Sequence, residues 1–134
     1  MFKDNICRIL ELVDLMLDSI DIVVDRTSHI RSGDDFLTSP DNMFILDGVC
    51  MKLIFIGESV KTINKMSGKE LLTQYPEIPW SDIMKLRDLI AHHYFLIDAD
   101  MIFLTIKDDL RPLRDCLEDI KFSLLAQLAD KQFE

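Results

Sequence analysis

The run from Ile6 to Val24, ICRILELVDLMLDSIDIVV, decides the fold class, because its apolar residues recur at a helical period. Ile6, Leu10, Val13, Leu17, Ile20 and Val24 are separated by alternating steps of four and three, which lines them along one helix face. An apolar stripe must be covered by another element, so the spacing predicts a bundle helix over about residues 2–25. Residues 27–41 are polar and turn-rich and read as a loop with room for one short helical turn. Beyond them, Leu46, Val49 or Cys50, Leu53, Ile56, Val60 and Ile63 form the seam of a second helix reaching about Lys65. Ser39 or Asp41 is its expected cap. Gly57 interrupts this helix at a cost of about 1 kcal/mol relative to alanine, and a close helix–helix approach is the expected compensation.

Pro79 suits the first position of a third helix, from Trp80 to about His92, where its missing N–H is not needed. From Ala99 onward, Ile102, Ile106, Leu110, Leu113, Leu117, Ile120, Leu124 and Leu128 keep a helical spacing. Pro112 cannot lie undisturbed inside such a helix. The reading therefore places a break near Asp108-Asp109, one aspartate capping a final helix and Pro112 in its first turn. Only four glycines and four prolines punctuate the chain. The expectation is an all-α fold, an antiparallel bundle of four to five helices, with residues 1–134 as one domain.

Composition narrows the class further. With 134 residues and 49% apolar content, a packed core is expected. The most apolar stretch, Met51–Ile56, is far shorter than the roughly 18–20 residues a membrane span requires. The opening Met-Phe-Lys-Asp-Asn lacks the layout of a signal peptide, so a soluble cytoplasmic protein without membrane contact is expected. Cys7, Cys50 and Cys116 are odd in number and unclustered, and Cys50 reads as a small buried hydrophobe. Adjacent His92 and His93 cannot share a helix face as metal ligands would, so no metal or cofactor is expected. The net charge of −9 argues against a broad nucleic-acid surface, DNA included. Any RNA site must be a small, locally basic pocket, with Lys52, Lys61, Lys85 and Arg87 as candidates to line it.

One cluster looks reactive: Arg87, Asp88, His92, His93 and Tyr94, at the end of the third helix. Arg87 and His92 stand about 140° apart on a continuous helix, so convergence requires the helix to end near Ala91. Asp88 and His92 are four residues apart, and a hydrogen bond between them would orient the imidazole. Arginine supplies a permanent charge and a planar fork for phosphate oxygens, while histidine moves protons near neutral pH. Cleavage by a 2′-hydroxyl needs both functions, together with separate base and acid roles. Two copies of the motif in a symmetric dimer would supply both roles.

Further segments accompany the cluster in order: Ile56-Gly57-Glu58, then Tyr75-Pro76-Glu77-Ile78-Pro79-Trp80, then Arg87 to Tyr94 as R-x4-H-x-Y, and the Leu110-x-x-Leu113 helix. Together they resemble the HepT-like branch of the HEPN superfamily over nearly the whole chain, most closely over residues 44–114. The resemblance implies a metal-independent ribonuclease toxin working at a homodimer cleft, with Arg87 and His92 as catalytic residues. It also implies a partner, an MNT-type nucleotidyltransferase antitoxin, which would neutralise the toxin by transferring AMP to Tyr94. Glu58 falls in the family's I-G-E segment and is expected to orient Arg87 from the neighbouring helix. Trp80 is expected to pack.

Two departures stand out. His93 gives the chain both R-x4-H and R-x5-H, although the H-x-Y spacing assigns catalysis to His92. Phe103 stands where relatives often carry tryptophan, a packing change. The alternatives are a non-catalytic HEPN module binding a nucleotide or its nucleotidyltransferase partner, and a plain helical dimerisation module.

Overall fold

A computed structural model describes residues 1–131 of the chain. Its elements are α1 (Lys3–Arg26), α2 (Pro40–Met66), α3 (Trp80–His92), α4 (Ala99–Leu104) and α5 (Leu110–Lys131), with no strand among the described residues. A π-helical segment, Thr105–Asp109, joins α4 to α5 without a break. Short 3-10 turns lie at Gly33–Leu37, Leu72–Gln74 and Tyr94–Leu96. The protein is therefore all-α.

Cross-links fix the helix directions. Asn5 and His29 on α1 and the turn after it bond to Met66 and Asn42, at opposite ends of α2. Arg114 reaches Asp21 and Lys121 reaches Asp14, so α1 and α5 also run antiparallel. Glu58 meets Arg87 while Asp47 meets Tyr94, which sets α3 and the turn after it antiparallel to α2. Ile6, Ile9, Val13, Met16 and Ile20 of α1 are completely buried within one contiguous core.

The expected seams are present, with shifts that packing explains. On α1, Ile6, Val13, Leu17 and Ile20 are buried, but so are Ile9, Met16 and Val23. The buried arc is wide because α1 packs on both α2 and α5. Val24 is half exposed, lining a surface cleft beside Phe103 and Ile106. Leu46 of α2 is only partly buried; the rest of its expected seam is in the core.

Helix ends follow their local chemistry. Ser39 caps α2, its hydroxyl accepting from the Asn42 amide at 3.1 Å, with Pro40 at the first position. The interval before it contains the expected single turn, pinned by the fully buried Phe36. α3 runs from Trp80 to His92 as expected, with Pro79 at the cap position and not the first helical one. Trp80 packs against the core, and its indole N–H donates to the Tyr75 carbonyl at 3.0 Å. Phe103 likewise packs against the core.

The last helical region departs from expectation. Neither Asp108 nor Asp109 starts a new helix. The capping aspartate is Asp98, which accepts from the Asp100 amide at 2.9 Å at the start of α4. Pro112 does fall in the first turn of α5, as expected, but the chain accommodates it by widening the preceding turn into the π segment and not by a capped break. A wider turn relieves the clash of the ring with the Asp108 carbonyl and releases a bond the proline cannot donate. No helix among the described residues is long and apolar enough to cross a membrane.

Candidate functional site

The site begins at the contact between α2 and α3. A Cβ placed on Gly57 would stand 3.1 Å from the Ile83 carbonyl and 3.0 Å from Arg87 Cγ, and nearer still to Arg87 Cβ. Only a residue without a side chain lets the helices come so close, and the approach fixes where the Arg87 stem lies. The expected compensation for Gly57 is thus met, and its contact residue is Arg87 itself.

Two carboxylates hold the Arg87 head. Glu58, one residue beyond Gly57, brings Oε2 to 2.7 Å from Arg87 Nε, an ion pair off the N–H direction, since buried Nε has no aligned acceptor. Asp88 Oδ1 accepts from the other side, 3.1 Å from an Arg87 terminal nitrogen. The same Asp88 oxygen accepts from Lys61 Nζ at 2.6 Å, so one carboxylate oxygen bridges two cations. The hydrogen bond from Lys61, more than that from Arg87, holds the Asp88 carboxyl below its ordinary range.

The imidazoles stand apart from this network. α3 continues through His92 instead of ending near Ala91, and His93 takes the cap position. Arg87 and His92 therefore keep their helical divergence, and no hydrogen bond or ion pair joins His92 to Arg87 or Asp88 among the described residues. The expected Asp88–His92 bond is not formed. The Asp88 oxygen is occupied by two charged donors, Lys61 and Arg87. His92 and His93 are both exposed.

Tyr94 opens the 3-10 turn that follows, and its hydroxyl donates to Asp47 Oδ1 on α2. Asp47 is a partner that sequence reasoning missed; 47 residues separate the pair, and only antiparallel packing of α2 and α3 brings them together. Tyr94 and Phe95 are exposed, Phe95 completely. Leu96 is 78% exposed, and Phe44 and Met51 on α2 are 78% and 65% exposed. The Tyr94–Asp47 bond sets this turn beside the part of α2 that carries Phe44 and Met51, so the candidate residues border an uncovered apolar surface. Of the four basic residues considered for the site, the structure joins Lys61 and Arg87; Lys52 and Lys85 take no part in the network.

Other features lie away from this cluster. A cavity of about 400 Å³ between α2, α3 and the π segment is lined mainly by residues such as Leu53, Ile83, Met101 and Leu113, with no histidine or basic group on its walls. Burial pushes the Cys50 thiol up to about 11, and Asp47 adds to the effect; Cys116 is pushed up to about 12 in the same way. Both therefore stay protonated and act as core residues, as expected of Cys50. No group of three His, Cys, Asp or Glu residues among the described residues is arranged to hold a metal ion.

A family model described as Ribonuclease HepT-like matches residues 16–120. A Methanocaldococcus jannaschii protein provisionally named an RNase is 28% identical over 123 residues, covering 89% of this chain and 92% of that protein. A Thermococcus cleftensis protein named a probable ribonuclease HepT is 29% identical over 104 residues, covering 78% of this chain and 87% of its own length. A further Methanocaldococcus jannaschii protein, named a gamma-glutamylcyclotransferase and provisionally an RNase, is 29% identical over 100 residues. That match covers 75% of this chain but 41% of the longer relative. No solved structure matches the chain.

Proposed function

The chain belongs to the ribonuclease HepT-like family, and we propose that it cleaves RNA, without a metal, at the α3 end that carries Arg87 and His92. The observation that carries this reading is the fixing of Arg87 by the Gly57 contact and by two carboxylates, on the helix that also carries the exposed His92. An arginine held in place presents charge to a phosphate without losing side-chain entropy at the moment of binding.

The chemistry is transesterification. A histidine takes the proton of the ribose 2′-hydroxyl, whose oxygen attacks the adjacent phosphorus. Arg87 offsets the extra charge of the phosphorane. The bond to the 5′-oxygen breaks, and that oxygen gains a proton from an acid. The products are a 2′,3′-cyclic phosphate and a free 5′-hydroxyl. Base and acid are two groups, and Arg87 and His92 diverge on one helix, which supports a homodimer that brings two motifs to one cleft. The uncovered Phe44, Met51, Phe95 and Leu96 surface beside the motif supports the same assembly. Glu58 and Asp88 act as supporting residues, and His93 as a second candidate for the proton role that His92 does not fill.

We read the protein further as the toxin of a toxin–antitoxin pair, neutralised when a nucleotidyltransferase antitoxin transfers AMP to Tyr94. Support comes from the exposed phenol on the turn that directly follows the helix carrying Arg87 and His92, where a nucleotide's charge and bulk would hinder RNA. Expression of the protein alone arrests growth on this reading, while the His92→Ala and Arg87→Ala variants are tolerated. Co-expression with a cognate nucleotidyltransferase raises the intact mass by AMP units, and Tyr94→Phe abolishes the gain. Equal growth effects of wild type and both variants would contradict the ribonuclease role.

A further inference from the structure

Lys61 has no place in the arginine–histidine motif, yet it is one of two cations that meet on a single oxygen. Lys61 Nζ and an Arg87 terminal nitrogen lie 2.6 and 3.1 Å from Asp88 Oδ1. Two N–H donors converging on one anionic oxygen is how a non-bridging phosphate oxygen is held. All three groups are partly open to solvent, with side-chain exposures of 35% for Lys61, 24% for Arg87 and 48% for Asp88. The space is therefore reachable by a polymer backbone. Asp88 directly follows Arg87 on α3, so a change of side-chain rotamer is enough to withdraw its carboxylate without moving the helix.

We propose that Lys61 and Arg87 form a two-cation clamp for an RNA phosphate, and that Asp88 is its resting occupant, displaced when substrate binds. This rests on the ribonuclease reading and adds to it a second phosphate ligand and a built-in competitor. Charge balance at the site fits. Glu58 and Asp88 offset Arg87 and Lys61 at rest, so the cleft is close to neutral on a chain of net charge −9. Withdrawal of Asp88 leaves two positive charges for the incoming phosphate and one carboxylate, Glu58, still paired with Arg87 Nε. Non-specific polyanions would then bind weakly, because each must first displace the internal carboxylate.

Lys61 lies on α2, one turn after Glu58, so the helix that orients Arg87 also carries the second cation. The Gly57 contact thereby sets the distance between the two halves of the clamp. A lysine presents a point charge that follows a moving phosphate, whereas arginine fixes an orientation. The pair therefore divides the work: Arg87 aligns the reacting phosphate and Lys61 strengthens its capture.

The test is binding of a fluorescein-labelled 12-nucleotide 2′-O-methyl oligouridylate, which cannot be cleaved, by fluorescence anisotropy over a range of salt concentrations. The full-length protein is compared with Lys61→Ala, Lys61→Arg, Asp88→Asn and Asp82→Asn. Loss of Lys61 is expected to weaken binding about ten-fold and to flatten the plot of log affinity against log salt by about 0.7, the loss of one single-strand phosphate contact. Lys61→Arg keeps both the affinity and the slope. Asp88→Asn tightens binding several-fold, while Asp82→Asn, on the same helix outside the clamp, changes it less than two-fold. Wild-type affinity and an unchanged slope in Lys61→Ala would overturn the clamp and leave the ribonuclease reading to be judged by cleavage. Binding weakened by Asp88→Asn would overturn the competing role of the carboxylate. Absence of binding by the wild type would overturn both the clamp and the function it rests on.

Discussion

α1 and α3 are both amphipathic helices on one core, yet α1 buries eight of its 24 residues and α3 buries only Ile90 among 13. α1 is held on two sides, by α2 and α5, and seven of its apolar residues are buried, although Leu15, Ile22 and Val24 stay about half exposed. α3 is held mainly by α2, with Arg87 in that contact, and leaves Lys85, Leu89 and His92 exposed. The difference separates scaffold from site. A helix covered on two faces has little freedom in its sequence, whereas a helix covered on one can carry charge that packing does not require.

Truncation in the core should show this contrast at its largest. Ile20→Ala, at a fully buried position of α1, is expected to cost about 2–5 kcal/mol by urea denaturation. Phe95→Ala, at the fully exposed tip after α3, is expected to change stability by less than about 0.5 kcal/mol. Similar losses at the two positions would mean that the turn after α3 is covered by something in the folded state of the isolated protein.

Gly57→Ala should give a smaller effect that reaches the site. The new methyl group meets Arg87 and the Ile83 carbonyl, and overpacking of this kind costs about 1–3 kcal/mol. Because the displaced residue is Arg87, RNA cleavage is expected to fall by more than the loss of folded protein explains. A variant as stable as the wild type would show that α2 and α3 can part without penalty. Hydrogen exchange should rank the same two regions, with amides of α3 opening at lower free energy than those of the middle of α1.

The smallest expected effect lies on the α1–α5 surface. Arg114 is paired with Asp21 at 2.7 and 3.1 Å, and its removal is expected to cost less than about 1 kcal/mol because the pair is exposed to solvent. The hydrogen bond from Arg114 lowers the Asp21 carboxyl from 3.8. The pair therefore contributes at neutral pH, and its contribution is lost as pH falls below 3.8 through the folded value. The melting temperatures of wild type and Arg114→Ala should differ slightly at pH 7 and converge in acid.

What could be read from the chain follows the same division. The seams of α1 and α2, the Ser39 cap and the close approach at Gly57 were legible because burial and capping impose local patterns. The junction after α4 was not. A proline three residues into α5 signals a disturbance, but sequence does not say whether a capped break or a widened turn absorbs it. At the site, Arg87 and Glu58 were legible as a pair through the resemblance to a known family. The bond expected between Asp88 and His92 was four residues apart and plausible by spacing. It lost to Lys61, which lies 27 residues from Asp88 and reaches it only once α2 and α3 are packed. The Tyr94–Asp47 contact was hidden for the same reason.

Incubation of an RNA with purified protein in EDTA, wild type beside His92→Ala and Arg87→Ala, tests the ribonuclease role most directly. The protein is prepared without any nucleotidyltransferase, so that Tyr94 is unmodified. Wild type is expected to yield fragments ending in 2′,3′-cyclic phosphate, and each variant to lose about 100-fold or more of the rate. Intact RNA with the wild type, or equal cleavage by all three proteins, would contradict it.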